Sequence, residues 1–205
     1  MRSRSRRTFW GTNVLNKYAF LLLTVVWITP LSVSATVVEE LSLEELTDEA
    51  THVVRARVGA QYVHPERGQR GEIYTRTELT VLGYLKGEGP PQMTVQQLGG
   101  EFGTYRLSIS GNATLRPGDE VVVFLSYDDD ADLSYVVALS QGLYRVVRTQ
   151  ETSWVERDLS GLSFYTAGAV PYELPSVVQA LSDLEVRIKG GFGPGDLELG
   201  GEVAR

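Results

Sequence analysis

Apolar residues recur along this chain with two periods, and the places where one period gives way to the other delimit the elements. Leu43, Leu46 and Ala50 fall on one helical face. Ser42 stands where an N-cap belongs and Glu45, three residues on, can reach back to the cap nitrogen, which predicts a short helix over 43–50. From His52 the period becomes that of a strand, through Val53, Val54, Ala56, Val58 and Tyr62, and stops at the turn cluster His64-Pro65-Glu66-Arg67-Gly68. The return strand, 73–85, places Ile73, Thr75, Thr77, Leu79 and Val81 on one face and Tyr74, Arg76, Glu78 and Thr80 on the other. The breaker run from Lys86 to Pro91 ends it, and Met93, Val95 and Gln97 start a third strand.

Beyond Gly99-Gly100, the alternation of Tyr105, Leu107 and Ile109 predicts a short edge strand. Arg116-Pro117-Gly118-Asp119 is a turn, and the unbroken apolar run within 120–125 predicts a central strand buried on both faces. After an acidic turn over 128–132, strands are expected at 133–139 and 143–147, divided at Gln141-Gly142. Residues 149–172 read as an extended, partly paired insertion with Trp154, Val155, Leu162, Phe164 and Tyr165 for packing. Val177, Leu181, Leu184 and Ile188 recur at helical spacing behind Pro175-Ser176, predicting a helix over 176–189. Helix, six or seven short strands, then helix is the order of a mainly β domain over 36–189, a small closed or partly closed barrel capped by two helices. The Gly- and Pro-rich stretch 190–205 reads as a disordered tail.

Residues 1–35 belong to a different class. Arg2, Arg4, Arg6, Arg7 and Lys17 carry positive charge with no acid among them, and an almost wholly apolar run follows from Tyr18 to Ile28. That run of about eleven residues is a signal-peptide core. It falls short of the roughly 20 apolar residues of a spanning helix. Val33-Ser34-Ala35 predicts cleavage after Ala35, a mature start at Thr36 and export to the periplasm or beyond. Ser5-Arg6-Arg7-Thr8-Phe9 also resembles a twin-arginine export box. No membrane span is expected after cleavage, and with no Cys after the apolar run a lipoprotein is not expected.

Removing that segment changes the charge. The full chain has 19 basic and 26 acidic residues; the segment takes five basic ones, leaving 14 against 26 and a net charge near -12. Phosphate backbones and anionic lipid are repelled, so nucleic acid is not an expected partner. The absence of Cys excludes thiol catalysis, disulfide scaffolds and iron–sulfur ligation.

Asp128, Asp130 and Asp132 have the one-three-five spacing of a calcium loop and are the candidate metal ligands, although Leu133 and Leu139 occupy the positions where such loops carry Gly and Glu. The competing reading is an acidic hairpin turn that keeps two strands solvated. His52 and His64 lie near opposite ends of one strand, about 40 Å apart if fully extended, and do not share a metal. Ser108, Ser110 and Ser140 lack a nucleophile elbow, and the pairs Gly99-Gly100 and Gly190-Gly191 lack phosphate-loop spacing, so they are turns and a helix stop. Asn112-Ala113-Thr114 matches a glycosylation sequon. Tyr74, Tyr84, Tyr105, Tyr127, Tyr135 and Tyr144 sit mainly in predicted strands, where packing explains them first.

One stretch carries a family resemblance. Asp48-Glu49-Ala50-Thr51-His52-Val53-Val54-Arg55-Ala56-Arg57-Val58 is similar to the first helix and strand of netrin-like modules, the group that includes the tissue inhibitors of metalloproteinases. The long strand to Leu85 ending in Lys86-Gly87, the short strand Met93 to Gln97 and the run Val121 to Leu125 ahead of an acidic hairpin extend the resemblance over 42–148 and 176–189. It implies an OB-like barrel with N- and C-terminal capping helices. Those inhibitors meet the protease zinc through the amine and carbonyl of an N-terminal Cys; this chain has none, and Thr36 would stand in that place.

Together these features predict an exported, non-enzymatic binding or interaction module that needs no cofactor. Its partner would be a protein or a saccharide, met by the barrel rim and the loops 61–72 and 99–106. The alternative is a netrin-like regulator of an extracellular metalloprotease acting through Thr36.

Overall fold

A computed structural model describes residues 36–65, 72–165 and 170–190. The predicted export segment 1–35, the predicted tail 190–205 from residue 191 onward, and residues 66–71 and 166–169 lie outside the described residues. The described residues are mainly β, with two α-helices and a large sheet partly closed in a ring.

The elements are β1 (Thr36–Val38), α1 (Leu43–Glu49), β2 (His52–Pro65), β3 (Ile73–Lys86), β4 (Gln92–Leu98), β5 (Gly100–Phe102) and β6 (Tyr105–Leu107). They continue with β7 (Glu120–Asp128), β8 (Leu133–Val136), a 3-10 turn (Leu139–Gly142), β9 (Leu143–Arg148), β10 (Ser153–Arg157), β11 (Leu162–Phe164), β12 (Val177–Ala180) and α2 (Leu181–Gly190). The capping box at α1 forms as its residues require: Glu45 N donates to Ser42 Oγ, and Ser42 N donates to Glu45 Oε2. The other end of α1 is satisfied by a residue far along the chain, because Lys86 Nζ donates to the carbonyl oxygen of Thr47.

The antiparallel meander β2-β3-β4 returns on itself. β2 pairs with β7 from His52↔Leu125 to Arg57↔Glu120, β7 pairs with β8, and β8 meets β4 through the parallel pair Val95↔Ser134. Irregular steps in the β2–β3 register, at Val53/Val54, Arg55/Ala56 and Val58/Gln61, give β2 the bends that a strand needs to serve two curved neighbours. β7 is the branch point. One of its edges is taken by β2, while the other is shared between β9 at Val121–Val123 and β8 at Leu125–Asp128. Beyond β9 the sheet continues through β10 to β12.

That branching explains why β7 is apolar at every position from Val121 to Leu125. Val121, Val123 and Leu125 face the ring interior with Val54, Ala56, Val58, Leu79, Met93 and Val95. Val122 and Phe124 face the opposite way, into a second core with Leu46, Tyr144, Val155, Leu184 and Ile188, where the helices cover the sheet. A strand buried on both faces is what an unbroken apolar run implies.

Glu120 is the exception at the start of this strand: only 8% exposed, it accepts from Arg55 Nε at 2.7 Å and from Arg148 Nη2 at 2.6 Å. Arg55 also reaches Glu185 on α2 at 3.2 Å. Burial alone pushes the Glu120 carboxyl up, but the hydrogen bonds and charges of Arg148 and Arg55 outweigh it and hold the group below its ordinary value.

Three expectations need correction. The helix predicted over 176–189 starts at Leu181; Val177–Ala180 instead form β12, antiparallel to β10. Val177 and Val178 are β-branched, and the open edge of β10 offers their backbone ladder bonds that outweigh a helical first turn. The stretch 149–172 is extended and partly paired as expected, but Trp154 and Tyr165 are exposed rather than packed; β10 belongs to the main sheet and β11 pairs in parallel with β1. Around that pair Leu159, Leu162 and Phe164 form a small third core with Val38 and Leu139. Finally, the strand predicted over 105–109 spans only Tyr105–Leu107 and pairs with the short unpredicted strand β5.

Candidate functional site

Inward-facing positions of the ring are apolar at its centre and become polar toward one end. Register carries the rule: His52 lies opposite Leu125 and Tyr127 opposite Ser134, and on β2 the same inward parity runs from His52 to Val54, Ala56 and Val58. His52, Tyr84, Tyr127 and Ser134 therefore gather at one mouth of the ring, above Met93. They line or adjoin a cleft of about 350 Å3 with Asp129 and Asp132 on its lip.

His52 is held from both sides. Its ring meets Tyr84 and Tyr127 edge-on, with centroids 6.0 and 5.8 Å away. Nε2 lies 3.1 Å from the Glu88 carbonyl oxygen, which can only accept, so this nitrogen carries a proton; Nδ1 lies 3.1 Å from Thr51 Oγ1. The β3–β4 loop passes close over the imidazole because Gly87 has a φ of 75° and no side chain; a Cβ there would come within 2.8 Å of His52 Cδ2. Tyr84 Oη donates to Pro90 O at 2.8 Å, and burial pushes its phenol above the ordinary value.

Across the cleft the acidic turn is organised by its own backbone. Asp128 Oδ1 accepts from the backbone N–H groups of Asp130 and Ala131, and Asp132 Oδ1 accepts from Tyr127 Oη at 2.6 Å. That hydrogen bond, followed by slight desolvation and the nearby charges of Asp132, Asp129 and Asp128, raises the Tyr127 phenol. Asp128 and Asp132 thus have separate partners, and among the described residues no three His, Cys, Asp or Glu side chains are grouped to hold a metal ion.

Ser134 is the residue that sequence reasoning missed. It is 1% exposed, its Oγ has no hydrogen-bond partner, and it forms part of the cleft wall. A serine in a short strand carries no local signal; only the β4–β8 closure turns it inward. Ser134, His52 and Asp132 share the cleft, yet no relay joins them, since Ser134 Oγ is unbonded and both imidazole nitrogens have other neighbours.

At the opposite end of β4 lies a groove of about 320 Å3 floored by Gln61, Thr75, Gln97 and Asn112. Here the side-chain amides are already engaged. Gln61 Nε2 donates to Thr77 Oγ1 and Leu115 O, Gln97 Nε2 to Asn112 Oδ1 and Ala113 O, and Asn112 Nδ2 to Leu98 O. The sequon asparagine is therefore part of the scaffold. Beside the groove the β5–β6 hairpin pairs Phe102 with Tyr105 and Glu101 with Arg106, the latter also as an ion pair. Gly99 and Gly100, with φ of 115° and 137°, tuck its base in, Gly99 against Leu107 and Gly100 against Val63 and Thr75. Its aromatic tip stays in solvent: Tyr105 is 74% and Phe102 48% exposed, with Tyr62 52% exposed on β2.

The remaining sequence candidates lie elsewhere. His64 is exposed at the far end of β2, opposite Tyr74. Thr36 is built into the fold, its Oγ1 donating to Ser110 O at 2.7 Å and its nitrogen facing Gly161 O at 3.4 Å, so approach to a foreign zinc requires β1 to leave β11. Ser108 is exposed, Ser110 Oγ donates to Gly161 O, and Ser140 Oγ is buried without a partner beside a small cavity of about 80 Å3 between Arg116, Arg145 and Asp158. No helix among the described residues is long and apolar enough to cross a membrane. Comparison with protein families, with characterised proteins and with solved structures finds no match.

Proposed function

We propose that this chain is an exported, non-enzymatic binding module on an OB-like barrel, and that it engages a protein partner through the β5–β6 hairpin. The circuit β2-β3-β4-β8-β7, with its one parallel junction between β4 and β8, supports the barrel reading. The observation that carries the binding reading is the exposure of Phe102 and Tyr105 as a cross-strand pair at the hairpin tip. Large aromatic side chains on a short, backbone-braced hairpin supply contact area at little entropic cost, which is how interface hot spots are built. A saccharide would also need free amide donors next to the rings, and both side-chain N–H donors of Gln61 and of Gln97 are already used. With a mature charge near -12, the partner surface is basic or neutral.

Photo-crosslinking from position 105 in cells that export the chain should yield one discrete protein adduct. Phe102→Ser should abolish it, and a probe at exposed Glu78 on β3 should not form it. Equal labelling from both positions would refute the hairpin as the contact surface. Terminal sequencing of the exported chain should begin Thr36-Val37-Val38; retention of residues 1–35 would refute cleavage at Ala35.

A further inference from the structure

We propose that the mouth of the ring is a binding site for an alkylammonium group, with Asp129, Asp132 and Ser134 receiving the charged head and Met93, His52 and Tyr127 flanking the stem. The starting observation is Ser134. A fully buried hydroxyl with no partner forfeits its hydrogen bonds to water, a cost that a protein ordinarily avoids by burying Ala instead. Ser134 lines a cleft of about 350 Å3, a size that takes a small ligand, and a ligand that shifts the wall enough to reach the buried hydroxyl would complete it.

The other groups around the cleft select the ligand's charge and shape. Asp129 and Asp132 stand on its lip, with Asp128 and Asp130 in the same turn and Glu88 on the facing loop, so the opening has a negative potential that favours a cation. Tyr127 and His52 add ring surface, and Met93 and Pro90 add apolar surface beneath the lip. A divalent metal is disfavoured because the carboxylates are not grouped to ligate one and His52 Nε2 is a donor to Glu88 O. At Asp132 a planar guanidinium fork would have to share Oδ1 with Tyr127 Oη, so a single ammonium nitrogen suits this carboxylate better. Three N–H groups diverging from one nitrogen match acceptors that lie apart on the lip and in the wall. The ligand chemistry is thus a primary amine on a short alkyl stem, carried by a free diamine or by a lysine side chain. This site is separate from the hairpin and stands or falls without it.

The test is calorimetric titration of the purified exported chain with cadaverine and with Nα-acetyl-lysine methylamide at low salt. Binding is expected with a Kd on the order of 100 µM, weakening as salt rises. Cadaverine alone would identify a free amine as the source, and the lysine derivative would identify a protein side chain. Asp129→Asn and Ser134→Ala should each weaken binding about tenfold. Ser134→Ala serves as the folding-safe variant, because it removes a group that bonds to nothing in the unliganded protein. Absence of heat with both amines, tighter binding of agmatine than of cadaverine, a calcium isotherm in place of an amine isotherm, or unchanged affinity in both variants would each overturn the proposal.

Discussion

The two ends of the ring are made from the same strands and present opposite chemistry. At the mouth, the inward positions of β2, β7 and β8 carry His52, Tyr127 and Ser134, and one hydroxyl remains without a partner. At the hairpin end, Gln61, Gln97 and Asn112 are consumed in bracing the loop from Asn112 to Leu115, and the side chains left over are aromatic rings in water. Unspent polar capacity in a cleft suits a small ligand, whereas spent polar groups beneath exposed rings suit a flat macromolecular contact. Only six positions of β4 separate Gln92, at the cleft, from Leu98, at the groove.

The most damaging change should strike both ends at once, through the strand they share. Glu120→Gln leaves Arg55 and Arg148 without their carboxylate on β7; breaking a buried pair costs about 3–5 kcal/mol. The partial exposure of both arginines reduces that to about 2 kcal/mol, read as a shift in urea midpoint at pH 7. Because the folded-state carboxyl is held below its ordinary value, its contribution is fully present above the unfolded pKa and is lost as pH falls through the lower folded one. The variant should therefore lose less stability than the parent on acidification from pH 5 to pH 3. Loss of one end's binding with the other retained would mean that the ends are stabilised separately.

A matched pair of glycine variants should separate the ends. Gly100→Val puts a Cβ within 2.7 Å of Thr75 Oγ1 at a φ of 137°, and Gly87→Val puts one within 2.8 Å of Thr51 O and His52 Cδ2 at a φ of 75°. Each should cost about 1–3 kcal/mol. The first should abolish the crosslink from position 105 and spare amine binding; the second should do the reverse. If both variants lose both readouts, the two ends are not independent.

The smallest effect is the most pointed. Ser134→Ala should leave thermal stability unchanged or raise it by up to about 1 kcal/mol, since no hydrogen bond is lost. A fall in Tm beyond that margin would show that Ser134 has a structural partner, and the contrast between a spent and an unspent end would close.

Much of this architecture can be read locally. Ser42 and Glu45 announce α1, the alternation from Ile73 to Val81 announces β3, and the run from Val121 to Leu125 announces a strand with two covered faces. Such features depend on neighbours within a few residues, where propensity and period act directly. The start of α2 is different: Val177 suits the apolar stripe of a helix, and only the vacant edge of β10 makes it a strand residue. β1 is likewise formed by a partner, β11, more than a hundred residues away.

The same division runs through the candidate sites. From its sequence alone the chain determines a mainly β domain, an acidic composition, a basic and then apolar N-terminal stretch and a short strand in which Tyr105 alternates with Leu107, because composition and period are local quantities. The tertiary structure decides that His52 and Ser134, 82 positions apart in the chain, face one cleft, and that the aspartates of one turn take different partners. Inward or outward orientation of a strand residue follows from register, and register is set by long-range pairing that no short window of sequence contains.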